Sequence, residues 1–488
     1  MSIQDAEGSS SKPLTSSASR TSGIRAALQY TGIPPSWLDK RPKLPSRNWL
    51  IFLSVTSSIT GYYIYDRREC RRIRQEYVEK VKHMSEEPSD HLAWPRKVTV
   101  YAARWPGDED WDQCMRYFRK YVKPIFVAAA IDYDMVVGKR HGDITNLVAE
   151  EVRKSRRLDV GLDSPPSQEV YPPNYPFRSL AVIRQQRLAG GIVIVGRPTW
   201  KEFMAGLKKG WTEGLEEVDH EESLAQELEM DGRFDEPEDQ NDLGDDHEPA
   251  TSASTSSPSP TKVGSPPLAA LSYRLPTQPQ TPVPTKSASQ IPEALNAPPA
   301  SIPLLPSILF VPFTNFLGFS QVPRMLWGFF NERHKVRSGA EAGYRLVMNA
   351  TRPFDPPPSE EKKSLFDDVA SDPAPVAKGD LDFGKESEAF YRPHLSTMLE
   401  EIEKDRKKYY DGLPAKLETA RALSRGTREP TKEEVENPPK TEVELRAERM
   451  KKEKRWRADA VGWNIVKPES EVEYDNRFDD ALRMFTDP

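Results

Sequence analysis

A run of seventeen residues without a charged side chain, from Trp49 to Tyr65, constrains this chain more than any other feature. As a helix rising about 1.5 Å per residue, the run measures about 26 Å, just enough for the hydrocarbon core of a thin bilayer. Arg47 precedes it and Arg67 follows it, while Trp and Tyr at its ends have the amphipathic rings that favour a membrane interface. The sequence therefore predicts one transmembrane helix at residues 48–66.

A signal peptide and a buried core helix are the alternatives for this run. A signal peptide lies nearer the N-terminus and ends in small residues, whereas about 48 residues precede Trp49 and bulky Tyr and Arg side chains follow Tyr65. A buried helix is not normally bracketed by so many arginines. Both alternatives are therefore weaker than a membrane span.

One face of the predicted transmembrane helix carries only small side chains. They are spaced four residues apart in two pairs, Ser54 with Ser58 and Ser57 with Gly61. Small faces allow membrane helices to pack closely, so this face is a candidate contact with partner helices. Chance Ser, Thr and Gly content explains so short a motif equally well.

Composition limits how much of the chain can fold. Of 488 residues, 37% are hydrophobic and 30% are charged, and 45 are proline, which is typical of proteins with long disordered stretches. A formal net charge of -6 gives no reason to expect nucleic acid as a partner. Two cysteines and seven scattered histidines lack metal-ligand spacing, so we expect no metal site and no cofactor.

Strand-like and helix-like segments alternate between residues 94 and 217. Thr199 and Glu202 have the spacing of a capping box at the start of one helix. This alternation predicts an α/β fold with a mostly parallel sheet. The β-branched or alternating runs that indicate strands lie at residues 98–103, 131–137 and 192–195.

The rest of the chain differs sharply in composition. A dense acidic run is followed by Pro-, Ser- and Thr-rich sequence that cannot form a core, which predicts a linker. The aromatic-rich segment after it either completes the α/β core or forms a surface that contacts a bilayer or a partner helix. Thr441 and Glu444 form a capping box before a helix rich in Lys, Arg and Glu. The predicted organisation is a basic, Ser-rich leader (1–47), the transmembrane helix (48–66), a basic stalk (67–93), the α/β domain (94–217), a disordered acidic and Pro/Ser-rich linker (218–306), the aromatic-rich segment (307–352) and a charged helical C-terminal region (353–488).

The turn after the third predicted strand occupies the place where glycine-rich loops of α/β domains bind phosphate against a helix N-terminus. Pro198 removes one N–H donor from this turn, and Thr199 has a role as a helix cap. We therefore expect a degenerate phosphate-loop position with a structural role, at Gly196, Arg197, Pro198 and Thr199.

Four motifs in order, KVTVY, FRKYVKPI, IDYDMVV and GDITNL, begin at residues 97, 118, 131 and 142. Their series resembles the nucleotide-binding half of diacylglycerol kinase-type lipid kinases. In that family the third strand leads into a Gly-Gly-Asp-Gly-Thr phosphate loop, whereas this chain reads GRPT and lacks the Asp and a glycine. The first-strand Asn-Pro motif of the family is also absent, since AAR stands at residues 102–104. This resemblance implies a shared fold whose phosphate chemistry is lost.

A second resemblance covers most of the chain outside the predicted linker. The motifs LPSRNWLIF, YVKP, GDI, VPFTN, GF, WGFF and RHKVR, which begin at residue 44 and end at residue 337, are long, rare and in a fixed order. They resemble the fungal form of the fifty-four-kilodalton Tim subunits of the mitochondrial carrier translocase. These motifs do not explain the acidic and Pro/Ser-rich linker.

That second resemblance implies a non-enzymatic, single-pass subunit of the mitochondrial inner membrane with a large C-terminal domain in the intermembrane space. The implied partners are the twenty-two-kilodalton Tim channel subunit, other membrane subunits of the carrier translocase, small intermembrane-space Tim chaperones and the lipid bilayer. The family is also linked to assembly of an ATP-dependent protease of the same membrane. A membrane-anchored lipid kinase of the diacylglycerol type and a membrane-anchored adaptor unrelated to import remain as alternatives.

Overall fold

The computed structural model describes residues 46–86, 96–163, 180–216, 220–235, 292, 296–355 and 379–487. The chain divides into two units, Met1–Tyr65 and Asp66–Pro488. Residues 1–45 of the predicted leader and residues 236–290 of the predicted linker lie outside the described residues.

The first described element is a helix of 40 residues, α1, Arg47–Glu86. It continues without a break through Asp66 and the arginines that follow it. Within the described ranges, no helix combines the length and the apolar character needed to cross a membrane. This finding overturns the transmembrane helix predicted at residues 48–66, because Ser, Thr and Gly side chains dilute the hydrophobicity of the uncharged run.

A six-stranded sheet organises the second unit, in the order β2-β1-β3-β4-β6-β5. Four of the five strand pairs are parallel, but β5 and β6 run antiparallel, with Thr351 opposite Phe485. The strands are β1 Lys97–Ala102, β2 Asp132–Val137, β3 Ile192–Val195, β4 Ile308–Val311, β5 Thr351–Pro353 and β6 Arg483–Phe485.

The sheet is therefore mixed, and the predicted fold class was wrong on this point as well as on the membrane helix. Helices also account for most of the described residues. The region after residue 353, predicted as charged and helical, supplies the strand β6 that lies between β4 and β5. Three-residue strands such as β5 and β6 are too short for an alternating pattern, so they could not be predicted from the sequence.

Helices cover both faces of the sheet and enclose two hydrophobic clusters. Val100 points into one cluster with Phe118, and its neighbour Tyr101 points into the other with Phe203, as expected for alternating side chains of a strand. One face carries α2 Gln113–Tyr121, α3 Lys123–Ala128 and α9 Glu332–Met348, and the other carries α4 Asp143–Val160 and α6 Arg197–Thr212. Three further helices lie in the described part of the chain before residue 331, α5 Leu180–Gly190, α7 His220–Glu229 and α8 Val322–Phe330.

The C-terminal helices are α10 Glu388–Ser424, α11 Lys432–Glu436 and α12 Glu442–Val466. Helices α10 and α12 pack through a separate cluster that includes Tyr409, Leu413, Leu445 and Trp456. The predicted capping box at the start of α12 is confirmed, since the Thr441 hydroxyl accepts from the Glu444 backbone N–H and the Glu444 carboxylate accepts from the Thr441 N–H.

Part of the predicted linker is folded against these helices. Residues 220–229 form α7, which packs on α12. The buried Arg449 guanidinium of α12 donates to the Leu228 carbonyl at 3.1 Å and to the Asp231 carboxylate at 3.0 Å. An acidic sequence thus contributes to tertiary structure because a buried cation on α12 needs a counter-charge.

Candidate functional site

The candidate site lies at the carboxyl edge of the parallel strands. Strand β1 pairs with β2 on one side and with β3 on the other, so the chain order reverses between β1 and β3. Open α/β sheets bind ligands outside the carboxyl ends of their strands at such a reversal point. The turn Gly196–Thr199 follows β3 at this edge and leads directly into α6.

Helix α6 starts earlier than the predicted capping box implies. Helix α6 begins at Arg197, with Gly196 as its N-cap at a φ of 82° and Pro198 in its first turn, where the missing N–H costs nothing. The Thr199 hydroxyl accepts from the Ala103 N–H at 2.9 Å and donates to the Val195 carbonyl at 2.6 Å. The predicted Thr199–Glu202 capping box is therefore wrong, and Thr199 instead ties β1 to β3.

The Arg197 side chain lies over the turn and contacts other residues of the protein. Its buried guanidinium donates to Glu388 Oε1 at 2.7 Å and to the carbonyls of Leu381 and Phe383 at 2.5 and 3.1 Å. Lys201, one turn further along α6, pairs with the same Glu388 oxygen at 2.9 Å. The side chains of Arg197 and Lys201 thus pair with the start of α10, and Arg197 also contacts the segment before it.

A buried acid–imidazole pair lies behind the turn. Glu202, fully buried on α6, accepts from the Ile144 N–H at 3.2 Å, and its second oxygen is 4.0 Å from His141 Nδ1. Burial raises the pKa of Glu202 to about 8, since the amides of Gly142 and Ile144 offset only part of the desolvation. Burial and the nearby Arg104 lower the pKa of His141 to about 4. Both groups are therefore neutral near pH 7.

A cleft of about 710 Å³ opens at this edge, between the ends of β1 and β2 and the helices α10 and α12. Its walls mix cations such as Arg104 and Lys452 with acids such as Asp108 and Asp459. A nucleotide or nucleic acid site would concentrate positive charge. The mixed charge of this cleft suits a polar polypeptide surface better.

Close backbone packing holds α12 over the same edge. A Cβ added to Gly462 would overlap the backbone carbonyl of His141, so only glycine permits this approach. The Trp463 indole N–H donates to the Leu395 carbonyl at 2.8 Å and joins α12 to α10. The C-terminal helices and the carboxyl edge of the sheet are therefore parts of one packed structure.

The described residues contain no group of His, Cys, Asp or Glu side chains arranged to hold a metal ion. Burial raises the pKa of the Cys114 thiol far above its ordinary value, which leaves the thiol protonated and unreactive. Cys70 is also buried, and its pKa is raised first by desolvation and then by Asp66. Neither thiol has the environment of a nucleophile.

The predicted small face lies on α1, in the first compact unit, and not with the turn at the sheet edge. Its four residues, Ser54, Ser57, Ser58 and Gly61, are all exposed. The Ser54 hydroxyl donates to the Ile51 carbonyl at 2.8 Å within the helix, and a Cβ added to Gly61 would meet open space. Their role as a contact face stays a prediction.

No sequence pattern indicated the Arg197–Glu388 pair or the Glu202–His141 pair. Each joins residues on different elements, and Glu388 is 191 residues from Arg197. The only local signal was the presence of charged residues, Arg197, Lys201 and Glu202, in a helix whose other side chains are largely apolar. Such a pattern can predict a buried polar network but not its partners.

The chain is similar in sequence to proteins of one family. A family model described as inner membrane protein import complex subunit Tim54 matches residues 26–456. A protein of Cryptococcus neoformans named mitochondrial import inner membrane translocase subunit TIM54 is 36% identical over 469 residues, which cover 96% of this chain and 95% of that protein. Proteins with the same name from Neurospora crassa and Candida albicans are 39% and 27% identical, over 38% and 67% of this chain and 40% and 84% of their own lengths.

Proposed function

Because this chain belongs to the Tim54 family of inner membrane protein import complex subunits, we propose that it is a non-enzymatic subunit of the mitochondrial inner membrane import translocase. The observation that carries this proposal is identity of 36% over 96% of the chain with a protein of that name. The match extends from residue 26, before α1, into α12, so it includes the strands β1 to β5 and the turn that follows β3.

We place the unit Asp66–Pro488 on the intermembrane-space side of the inner membrane, where it acts as a scaffold during insertion of multispanning carrier proteins. The sequence resemblance supports this side, and the mixed-charge cleft offers a surface for a polypeptide partner. The partners we propose are the twenty-two-kilodalton Tim channel subunit, other membrane subunits of the translocase and the small Tim chaperones. The ATP-dependent protease of the same membrane is a further proposed partner.

Purification of the tagged full chain from mitochondria in mild detergent, followed by identification of the proteins that accompany it, tests these partners. The proposal expects translocase subunits in amounts comparable to the bait. Depletion of the protein should slow insertion of carrier precursors and leave matrix-targeted precursors unaffected. Normal carrier insertion after depletion would contradict the import role.

Protease treatment of mitochondria with a ruptured outer membrane tests the proposed side. The unit after Tyr65 should be digested while a matrix marker survives. Protection of a C-terminal epitope under these conditions would place the unit in the matrix and contradict the scaffold role in the intermembrane space.

The small face of α1 provides a partner test within the same complex. Ser57→Leu combined with Gly61→Leu should weaken co-purification of the partner subunits, because bulky side chains prevent the close approach of a partner helix. Val55→Leu combined with Ile59→Leu changes a different face of the same helix and is the matched control. Equal co-purification of both variants would show that the small face is incidental.

No described feature favours the lipid kinase alternative, because the turn Gly196–Thr199 is engaged by Glu388, Leu381 and Phe383. We expect the purified chain to show no magnesium-dependent thermal stabilisation by ATP and no phosphorylation of diacylglycerol. Turnover by the wild-type protein that is lost in Arg197→Met would overturn this expectation.

A further inference from the structure

Helix α8 presents an apolar surface to solvent. None of its residues is buried, and the 3-10 turn before it adds Phe319, which is 97% exposed. Trp327 and Leu326 are 70% and 56% exposed. The other large apolar side chains that share this exposure are Val322, Met325 and Phe329. We name Phe319 together with α8 the aromatic ridge.

Buried polar side chains fix the aromatic ridge at both ends. The Gln321 side chain, 8% exposed, donates to the Phe390 carbonyl at 3.2 Å at the start of α8. The Asn331 side chain, 3% exposed, donates to the Trp327 carbonyl at 3.0 Å at its end. The apolar side chains are therefore held outward by the fold and do not belong to a segment that lacks anchors.

A group of cations lies beside the aromatic ridge. The Arg67 guanidinium carbon is 5.6 Å from the centre of the Phe329 ring, and the Lys335 ammonium lies beside Gly328 of α8. Burial lowers the pKa of Lys120, and repulsion from its neighbouring cations lowers it further. The four members of this cationic group are Arg67, Arg74, Lys120 and Lys335.

Among the described residues, the carboxylates of Glu332 and Asp66 lie with these four cations, so the cations outnumber these carboxylates by two. Glu332 is buried and pairs with both Arg67 and Lys120. Asp66 is also buried and accepts from the backbone N–H groups of Glu332 and Arg333 at 3.1 and 3.4 Å, at the N-terminus of α9. The repulsion within the group would be relieved by an anion supplied from outside the chain.

We propose that the aromatic ridge docks on the surface of a bilayer that contains anionic lipids, with its apolar side chains at the acyl boundary and lipid phosphates at Lys120 and Lys335. The inference goes beyond the import role and does not depend on it.

A lipid surface fits this combination better than a folded partner. Amphipathic helices that bind membranes place Trp, Phe and Leu at the acyl boundary and cations at the headgroups, as the aromatic ridge and the cationic group do together. Trp in particular favours the interfacial region. A protein partner would need both an apolar groove and carboxylates placed to meet the same cations.

A fluorescent probe at Phe319 gives the sharpest test in the full-length chain. Phe319→Cys can be labelled with an environment-sensitive dye because the native Cys70 and Cys114 are buried. The matched control is the same dye at Val443→Cys on α12, where the native side chain is 76% exposed. Both proteins are mixed with phosphatidylcholine vesicles, with or without phosphatidylglycerol, and with spin-labelled lipid as a quencher.

The proposal expects a blue shift and quenching at position 319 on vesicles with phosphatidylglycerol, and no change at position 443. Lys120→Gln with Lys335→Gln should weaken the response about tenfold or more, because each Lys near an anionic surface contributes about a five-fold effect. No quenching at 319, or equal quenching on pure phosphatidylcholine, would overturn it. Capture of a protein by the aromatic ridge without quenching by lipid would also overturn it.

The same assay tests whether the apolar side chains of the aromatic ridge contribute to membrane binding. Leu326→Ser with Trp327→Ser should abolish the response of the probe at position 319, whereas Val435→Ser with Val461→Ser, at exposed positions of α11 and α12, should leave it intact. Should the first pair unfold the chain, the labelled Phe319→Cys protein still decides the question, because a side chain that is 97% exposed contributes nothing to the core.

Discussion

Replacing Glu202 with Gln should remove a pH dependence that is built into the core. Glu202 is fully buried and lies 4.0 Å from His141, which is itself buried. A Gln side chain has nearly the shape of the protonated acid and still accepts from the Ile144 N–H. The variant therefore keeps the packing and removes only the ability to ionise.

The direction in which stability changes with pH follows from the two pKa values. The pKa of Glu202 rises from 4.5 to about 8 on folding, so its stabilising contribution is complete below about pH 4.5 and is lost as the pH rises towards 8. The pKa of His141 falls from 6.5 to about 4, so its contribution is complete above pH 6.5 and is lost as the pH falls towards 4.

The two effects oppose each other below pH 6.5, and only Glu202 acts between pH 6.5 and 8. Over this interval of 1.5 pH units, the ionisation of Glu202 changes the free energy of unfolding by about 2 kcal/mol, at about 1.36 kcal/mol per unit. The free energy of unfolding of the wild-type chain should therefore fall by about 2 kcal/mol more than that of Glu202→Gln over the interval.

Urea unfolding of the full chain in mild detergent, followed by circular dichroism and Trp fluorescence at pH 6.5 and 8, measures this difference. The exposed Glu150→Gln on α4 is the matched control, since it removes the same charge without touching the buried pair. Parallel pH profiles for the wild type and Glu202→Gln would refute the reasoning and show that Glu202 is ionised in the folded core.

Three further predictions concern the same packed structure. Thr199→Ala should lower the free energy of unfolding by about 1–3 kcal/mol, because the buried Ala103 N–H loses its acceptor; an unchanged urea midpoint would contradict this. Gly462→Ala should loosen α12 at a cost of about 1–3 kcal/mol, because its Cβ would overlap the His141 carbonyl, and limited proteolysis should then cleave α12 faster. Deleting residues 237–290 should change stability by less than about 1 kcal/mol, since loop length affects closure entropy only slowly and the Asp231–Arg449 contact is kept. Loss of cooperative unfolding in this deletion would mean that the removed residues contribute structure.

The first three strands could be predicted from the sequence, whereas the other edge of the sheet could not. Each of β1, β2 and β3 coincides with a run of β-branched or alternating residues, and the observed bounds differ from the predicted ones by at most one residue at either end. The strands β5 and β6 have three residues each and pair with one another from distant parts of the chain. Their assignment depends on the partner strand, because three residues contain no period.

The candidate site likewise has one part that could be predicted from the sequence and one part that could not. The turn Gly196–Thr199 was located from the spacing of strand and helix, and its sequence GRPT shows directly that it contains a proline and no Asp. The predicted Thr199–Glu202 box failed because Pro198 already suits the first helical turn, so α6 starts earlier and Glu202 is turned into the core. A local pattern specified the helix but not the surroundings of its side chains.

By itself the sequence determined the parallel strands β1 to β3, the capped start of α12 and the position of the turn Gly196–Thr199 at the sheet edge, because each depends on residues close together in the chain. Only the tertiary structure decided which charges are buried and which apolar side chains remain outside. Arg197 reaches Glu388 across 191 residues, and the aromatic ridge stays exposed although its composition suits a core. Burial is a property of the assembled elements, so no local spacing specifies it.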